Sequence, residues 1–323
     1  YWTTDFRRSY EETAIFGEIT YDIADNLTVS ASMRQFDAES FLDGFSGTVW
    51  WPCGGGPSAA AQAASGVYRP QNNYGADCVD ANRVTASKDE VYRVTGEWAL
   101  NEDLMVYGAW GEGYRPGGLN RFCSVGNTAD YGGQGRDDAT GAQCDFTPDF
   151  LTSYEVGIKA TLLDGRMQVN ASAFLQDWDN FQFSRLDTSI SPVTLTYNIG
   201  QAKSDGFEAD FSLMLTETWS LTGAASYIQA ELSQDYFKSD GLAAPTAASG
   251  TPLPRVPEVK WNLSTRYGFN TDWFMQASYI YTGSSYNNLF DGGSLQTKRY
   301  KQGDYQILNA SVGIDRDSWV AEM

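Results

Sequence analysis

Ser153-Tyr154-Glu155-Val156-Gly157-Ile158-Lys159-Ala160-Thr161-Leu162, then Leu163-Asp164-Gly165-Arg166, then Met167-Gln168-Val169-Asn170-Ala171-Ser172-Ala173-Phe174-Leu175: in this stretch the chain runs out, turns and comes back. Tyr154, Val156, Ile158, Ala160 and Leu162 alternate with Ser153, Glu155, Gly157, Lys159 and Thr161. A period of two is that of a strand with one apolar and one polar face. Asp164-Gly165 supplies residues that tolerate the left-handed backbone a tight hairpin turn requires. On the return, Met167, Val169, Ala171, Ala173 and Leu175 keep the apolar parity.

The same unit recurs in both directions. Thr13 to Ile23 alternates, turns at Ala24-Asp25-Asn26, and returns through Leu27, Val29, Ala31 and Met33. Tyr92 to Leu100 turns at Asn101-Glu102-Asp103 into Leu104 to Tyr114. Phe207 to Leu215 turns at Thr216-Glu217-Thr218 into Trp219 to Tyr227. Val259 to Tyr267 turns near Asn270-Thr271-Asp272 into Trp273 to Tyr281. Leu308 to Ile314 turns at Asp315-Arg316-Asp317 into a strand beginning at Trp319. The reading is twelve strands, with six tight turns alternating with five long loops, at residues 37–86, 115–150, 184–196, 229–258 and 284–304. Short connections on one side and long ones on the other mark an outer-membrane barrel, turns periplasmic and loops extracellular. Gly54 to Gly66 and Gly241 to Pro252 read as solvated loop tips.

A soluble β-sandwich alternates too, so the placement of aromatics decides. Tyr21, Trp98, Trp219, Tyr267, Trp273 and Trp319 lie within about four residues of a tight turn, all on the apolar parity. Tyr92, Tyr154, Tyr227 and Tyr281 lie about eight to ten residues from those turns. Eight tilted strand residues rise roughly 21 Å, close to an apolar band of about 25 Å with an aromatic girdle at each interface. Arg34, Arg93, Glu97, Glu155, Lys159, Glu208, Asp210, Lys260 and Arg266 occupy the other parity, which therefore faces a wet lumen. The longest apolar run, Leu104 to Tyr107, is far short of the ~20 residues of a membrane helix. A mean hydropathy of −0.39 does not argue against a barrel, because lumen and lipid faces average out.

Composition excludes several functions. With 41 acidic against 22 basic residues and a net charge of −19, the chain lacks the basic surface that nucleic acid requires. It contains no histidine, which removes the commonest general base and imidazole metal ligand. Neither a catalytic constellation nor a resident metal or other cofactor is expected. Asp177, Asp179 and Asn180 lack the remaining ligands of a calcium loop. Cys53, Cys78, Cys123 and Cys144 lie outside every predicted strand and without zinc spacing. Two local disulfides, Cys53–Cys78 and Cys123–Cys144, are favoured because short loops close at lower entropic cost. Other pairings, or four free thiols, stay open.

Three stretches resemble the C-terminal half of the barrel of a TonB-dependent receptor. They are Gly113-Tyr114-Arg115-Pro116-Gly117-Gly118-Leu119-Asn120, the Glu155-x-Gly157-x-Lys159 strand with its following turn, and Asn198 to Glu208 with its Gly206-x-Glu208 ending. The resemblance implies an outer-membrane importer of a scarce nutrient such as a ferric siderophore, cobalamin or an oligosaccharide. It also implies a plug domain, coupling to the TonB complex, and a barrel of about 22 strands. Residues 1–323 are accordingly expected to be one transmembrane antiparallel β-barrel domain, truncated at both ends and lacking the plug. Its partners would be outer-membrane lipid, the plug, TonB and a small-molecule ligand. Trp50, Trp51, Arg115 and Arg121, in or beside long loops, are the candidate ligand contacts. Glu155 and Lys159 are expected to pair with lumen charges instead. A complete twelve-stranded passive pore or autotransporter-type barrel is the alternative, and a soluble all-β binding module a third reading.

Overall fold

The computed structural model describes residues 2–48, 81–120, 136–137, 142–143, 145–186, 194–237, 244–269, 272–290, 298–316 and 318–323. Twelve strands form one antiparallel sheet: β1 Trp2–Ala24, β2 Leu27–Thr48, β3 Ala81–Asn101, β4 Leu104–Arg115, β5 Asp149–Leu162 and β6 Met167–Asp179. They continue as β7 Ala202–Thr216, β8 Trp219–Leu232, β9 Val259–Gly268, β10 Trp273–Thr282, β11 Tyr305–Arg316 and β12 Trp319–Glu322. Each strand pairs with its neighbour in sequence, and among the described residues β1 and β12 do not pair with one another. The sheet is thus an open arc, at odds with a closed twelve-stranded pore.

Register carries each face across the arc. Ile158, Ala171, Ala209, Ala225, Trp261 and Tyr281 are successive cross-strand partners on one face. Lys159, Asn170, Asp210, Ala224, Asn262 and Ile280 are the row beside them on the other. A one-residue slip would exchange the two rows, so the apolar pattern fixes the register. Val156, on a strand with neighbours on both sides, is 63% exposed, an arrangement suited to lipid and costly in water. The turn-proximal aromatics Tyr21, Trp98, Trp219, Tyr267, Trp273 and Trp319 are exposed on that same face. Trp219 packs edge-on against Tyr267, and its indole donates to the Thr265 hydroxyl at 2.8 Å.

The first three strands are longer than their alternation predicts. β1 begins at Trp2 rather than Thr13, while β2 and β3 continue to Thr48 and back to Ala81 through much of the predicted 37–86 loop. These extensions carry no clean apolar stripe: β2 buries Ala38 and Leu42, the latter against Leu119, but Ser40 lies between them. Three strands satisfy one another's backbone groups in register, as at Asp37 between Thr13 and Lys88. The remaining loops are not bare coil either. Gln182–Arg185 pairs with Leu195–Asn198, Gly118–Leu119 with Asp145–Phe146, and Ser285–Tyr286 with Lys301–Gln302.

Above the sheet these loops enclose an apolar core of Phe181, Leu195, Tyr197, Ile199, Leu232 and Leu289 with their neighbours. The 241–252 tract does not behave wholly as a solvated tip. Ala247 is buried in this core, as is Leu253 just past the tract, and the Tyr236 amide and carbonyl both bond to Ala247. Small side chains there let the backbone lie close against its neighbour, which a reading of low complexity misses.

Candidate functional site

The wall beneath the loops explains the Glu155-x-Gly157-x-Lys159 pattern. Tyr107 of β4 pairs directly with Gly157 of β5, and a Cβ built on Gly157 would lie 2.5 Å from the Tyr107 ring. The ring lies across the glycine. Its hydroxyl donates to Glu155 at 2.5 Å, and the Lys159 ammonium sits 5.7 Å from its centroid. Glu155 and Lys159 therefore converge on a tyrosine rather than on opposite charges. The same device places Phe274 over Gly313 across the β10–β11 pair.

The loops are fixed by polar side chains that imitate backbone. Asn120 donates to the Thr196 carbonyl at 2.7 Å and accepts from its amide at 2.8 Å. Asn198 accepts from the Thr147 amide at 2.9 Å and donates to the carbonyls of Thr147 and Asn180. Asp149, fully buried, receives both the Nε and Nη2 of Arg115 and the Gln182 amide at 2.9 Å. The Gln182 side chain in turn donates to the carbonyls of Pro116 and Thr147. Gly117 and Gly118 allow the close pass of Phe146, whose atoms would lie 2.6 and 2.7 Å from a Cβ at those positions. Tyr114 turns inward to stack on buried Phe36 at 3.7 Å and donates to Glu12, which also pairs with Arg34.

These contacts frame a cavity of about 880 Å³ between the loops and the upper wall. Arg115, Arg185 and Arg255 line it with Trp178, Phe181 and Phe183, and no carboxylate is among its described lining residues. Arg185 is held between the Tyr197 and Phe290 rings, 5.0 and 5.2 Å from their centroids. Arg115 lies 5.3 Å from the Phe181 centroid. Aromatic faces orient these guanidiniums with little side-chain freedom left to lose. In a chain of net charge −19, a cavity whose described lining holds three arginines, one of them paired with Asp149, is a local reversal of the overall charge. A second recess of about 450 Å³ lies lower on the wall, lined by Lys159, Glu208, Asp210 and Lys260.

Of the four residues singled out from sequence, Arg115 lines the cavity, although its guanidinium is engaged by Asp149. Trp50, Trp51 and Arg121 lie outside the described residues, as do Cys53, Cys78, Cys123 and Cys144. Arg185 and Arg255 were not singled out. The only sequence signal was an arginine inside each of two loops of an otherwise acidic chain.

A family model for the TonB dependent receptor-like β-barrel matches residues 2–321. The chain belongs to this family. Its sheet is accordingly part of a bacterial outer-membrane barrel, and the family is one of transport receptors. The chain is 32% identical over 152 residues to the metal-pseudopaline receptor CntO of Pseudomonas aeruginosa, covering 46% of this chain and 20% of that protein. It is 23% identical over 265 residues to the catecholate siderophore receptor Fiu of Escherichia coli, covering 81% and 30%. The ferric yersiniabactin uptake receptor FyuA from Yersinia pestis superposes with a TM-score of 0.68 at 16% identity, over 97% of this chain and 39% of that one. The closed form of Fiu gives 0.67 at 17% identity, with the same coverage. The chain thus spans about a fifth to a third of the curated relatives' length. The family match sets aside the autotransporter-type barrel and the soluble module.

Proposed function

We propose that this chain forms part of an outer-membrane receptor that captures a metal chelate of the siderophore class and imports it with energy delivered through TonB. The single observation that supports this most is the loop-roofed cavity of about 880 Å³, lined by Arg115, Arg185, Arg255 and aromatic rings, with no carboxylate among its described lining residues. Its volume is that of a small-molecule site, and Arg115, Gln182 and Arg185 in its wall are fixed in orientation. Residues 1–323 are read as one barrel domain, working with a plug that gates the lumen. No covalent step is assigned to it: the residues around the cavity bind and orient, and the work of release comes from the inner membrane. Trp50, Trp51 and Arg121 remain candidate contacts on the loops.

The test is uptake of radiolabelled ferric chelates by cells starved of iron, with and without the gene. Saturable accumulation of at least one chelate, lost on deleting either the gene or tonB, is the expected result. Accumulation that persists without TonB would leave a passive pore. No gene-dependent accumulation of any metal chelate would exclude this substrate class.

A further inference from the structure

Arg255 is the one member of the cavity's arginine set whose backbone is held against its own preference. Its φ is +63°, in the left-handed region that a side chain disfavours and glycine adopts freely. The conformation is fixed from outside: the Arg255 amide donates to the Tyr286 carbonyl at 2.7 Å. Tyr286 is covered by the Arg299 guanidinium, 3.6 Å from its ring centroid, and Arg299 donates to the carbonyls of Asn288 and Pro252. On the other side, the Leu253 amide bonds to the Ala230 carbonyl on β8. Glycine would satisfy this backbone at lower cost, so what arginine contributes here is its side chain.

That side chain is exposed and lines the cavity. Among the described residues the Arg255 guanidinium has no hydrogen bond, ion pair or ring partner, whereas Arg115 is bound to Asp149 and Arg185 lies between two rings. Arg115 is therefore compensated by a carboxylate, and Arg185 is committed to its two rings. The third is presented to whatever enters.

We infer that Arg255 is the principal charge contact for the cargo, and that the cargo is an anionic chelate, one carrying net negative charge on carboxylate or catecholate oxygens. This rests on the proposed importer reading and adds the charge of the ligand and the residue that selects it. A guanidinium with a fixed backbone and a free fork can bind such oxygens in a bidentate manner, while a neutral chelate offers it no matching charge.

The experiment uses the receptor expressed from its complete gene and purified in detergent. Binding of two probes, a trianionic ferric tris-catecholate and a neutral ferric tris-hydroxamate, is followed by quenching of tryptophan fluorescence. The expected result is tighter binding of the tris-catecholate. In Arg255→Gly that binding falls by about tenfold or more, the loss of one charge-assisted contact, while the thermal midpoint is unchanged or higher. Arg255→Lys retains the preference for the anion. Equal binding of the two probes by the wild type, or undiminished tris-catecholate binding by Arg255→Gly, overturns the inference and leaves the importer reading standing. Binding of neither probe overturns the inference, and loss of all gene-dependent chelate uptake as well would remove the importer reading.

Discussion

Single residues in this wall are constrained by what lies across the sheet from them. Gly157→Val puts a branched side chain where the Tyr107 ring now rests, displacing the hydroxyl that donates to Glu155. The expected cost is about 1–3 kcal/mol, the usual range for overpacking, read as a lower urea midpoint for the refolded barrel. Gly157→Val with Tyr107→Ala should recover much of it, and failure to recover would place the constraint in the backbone instead. Arg115 tests differently. Arg115→Ala leaves the buried Asp149 carboxylate with the Gln182 amide as its remaining described partner, and a loss of about 2–3 kcal/mol is expected. Pairing it with Asp149→Asn should be milder than Arg115→Ala alone, because no charge is then stranded. Asp145 supplies a pH signature. Burial raises its carboxyl above the ordinary value, opposed by the nearby Arg83 charge and a backbone hydrogen bond. Its protonated form is favoured in the folded state, so its stabilisation is complete below the unfolded carboxylate value and is lost as pH rises through the elevated one. Amide exchange around residues 145–146 should therefore quicken as pH rises through that window, after correction for intrinsic exchange. In Asp145→Asn this extra pH dependence should vanish; its persistence would assign the effect to another group.

Between residue and molecule stand two kinds of element, the barrel strands and the loop ribbons above them, and they draw on different forces. The strands are held by ladders continuous across the arc, whereas the ribbons are held by the apolar core around Leu232 and by Asn120, Asn198 and Gln182. Leu232→Ala removes a fully buried side chain and should cost about 2–5 kcal/mol, concentrated above the sheet. Hydrogen exchange should then quicken in residues 182–186, 194–198 and 244–256 while β6–β8 ladder amides stay protected. Equal loosening of both would mean that loops and barrel form one cooperative unit. This division also explains what sequence could reveal. Alternation at Tyr154 to Leu162 is legible because one face meets lipid and the other water, so chemistry repeats every second residue. The upper part of β2 buries Phe36, Ala38 and Leu42, the last against Leu119. Ser40 interrupts that row and Asp43 is buried on the other parity, so no clean period records it. The loop core is assembled from Phe181, Leu195, Leu253 and Leu289, far apart in sequence and without a common period. Arg115 was legible because Pro116 and the glycines mark a strand end. Arg255 was not, since neither its left-handed backbone nor its place in the cavity is written in its neighbours.

For the whole molecule, the decisive question is which solvent bathes the apolar face, because that fixes what every outward residue contributes. Ile158 sits in the middle of that face, exposed, with the aromatics Trp98 and Trp219 toward the turn end and Tyr154 toward the loop end. If the face is in hydrocarbon, Ile158→Arg must place a guanidinium near the bilayer midplane, at an expected cost of about 2–4 kcal/mol. If the face were in water, the same exposed substitution would change stability by about 0.5 kcal/mol or less. Ser212→Arg, exposed on the lumen parity of β7, provides the control, since a cation there meets water and the neighbouring Asp210. Refolding the two variants into lipid vesicles and titrating each with denaturant separates the cases. A large loss for Ile158→Arg with a small one for Ser212→Arg is the barrel outcome. Two small losses would mean that lipid does not touch this face, and the membrane function drawn from it would fall with that result.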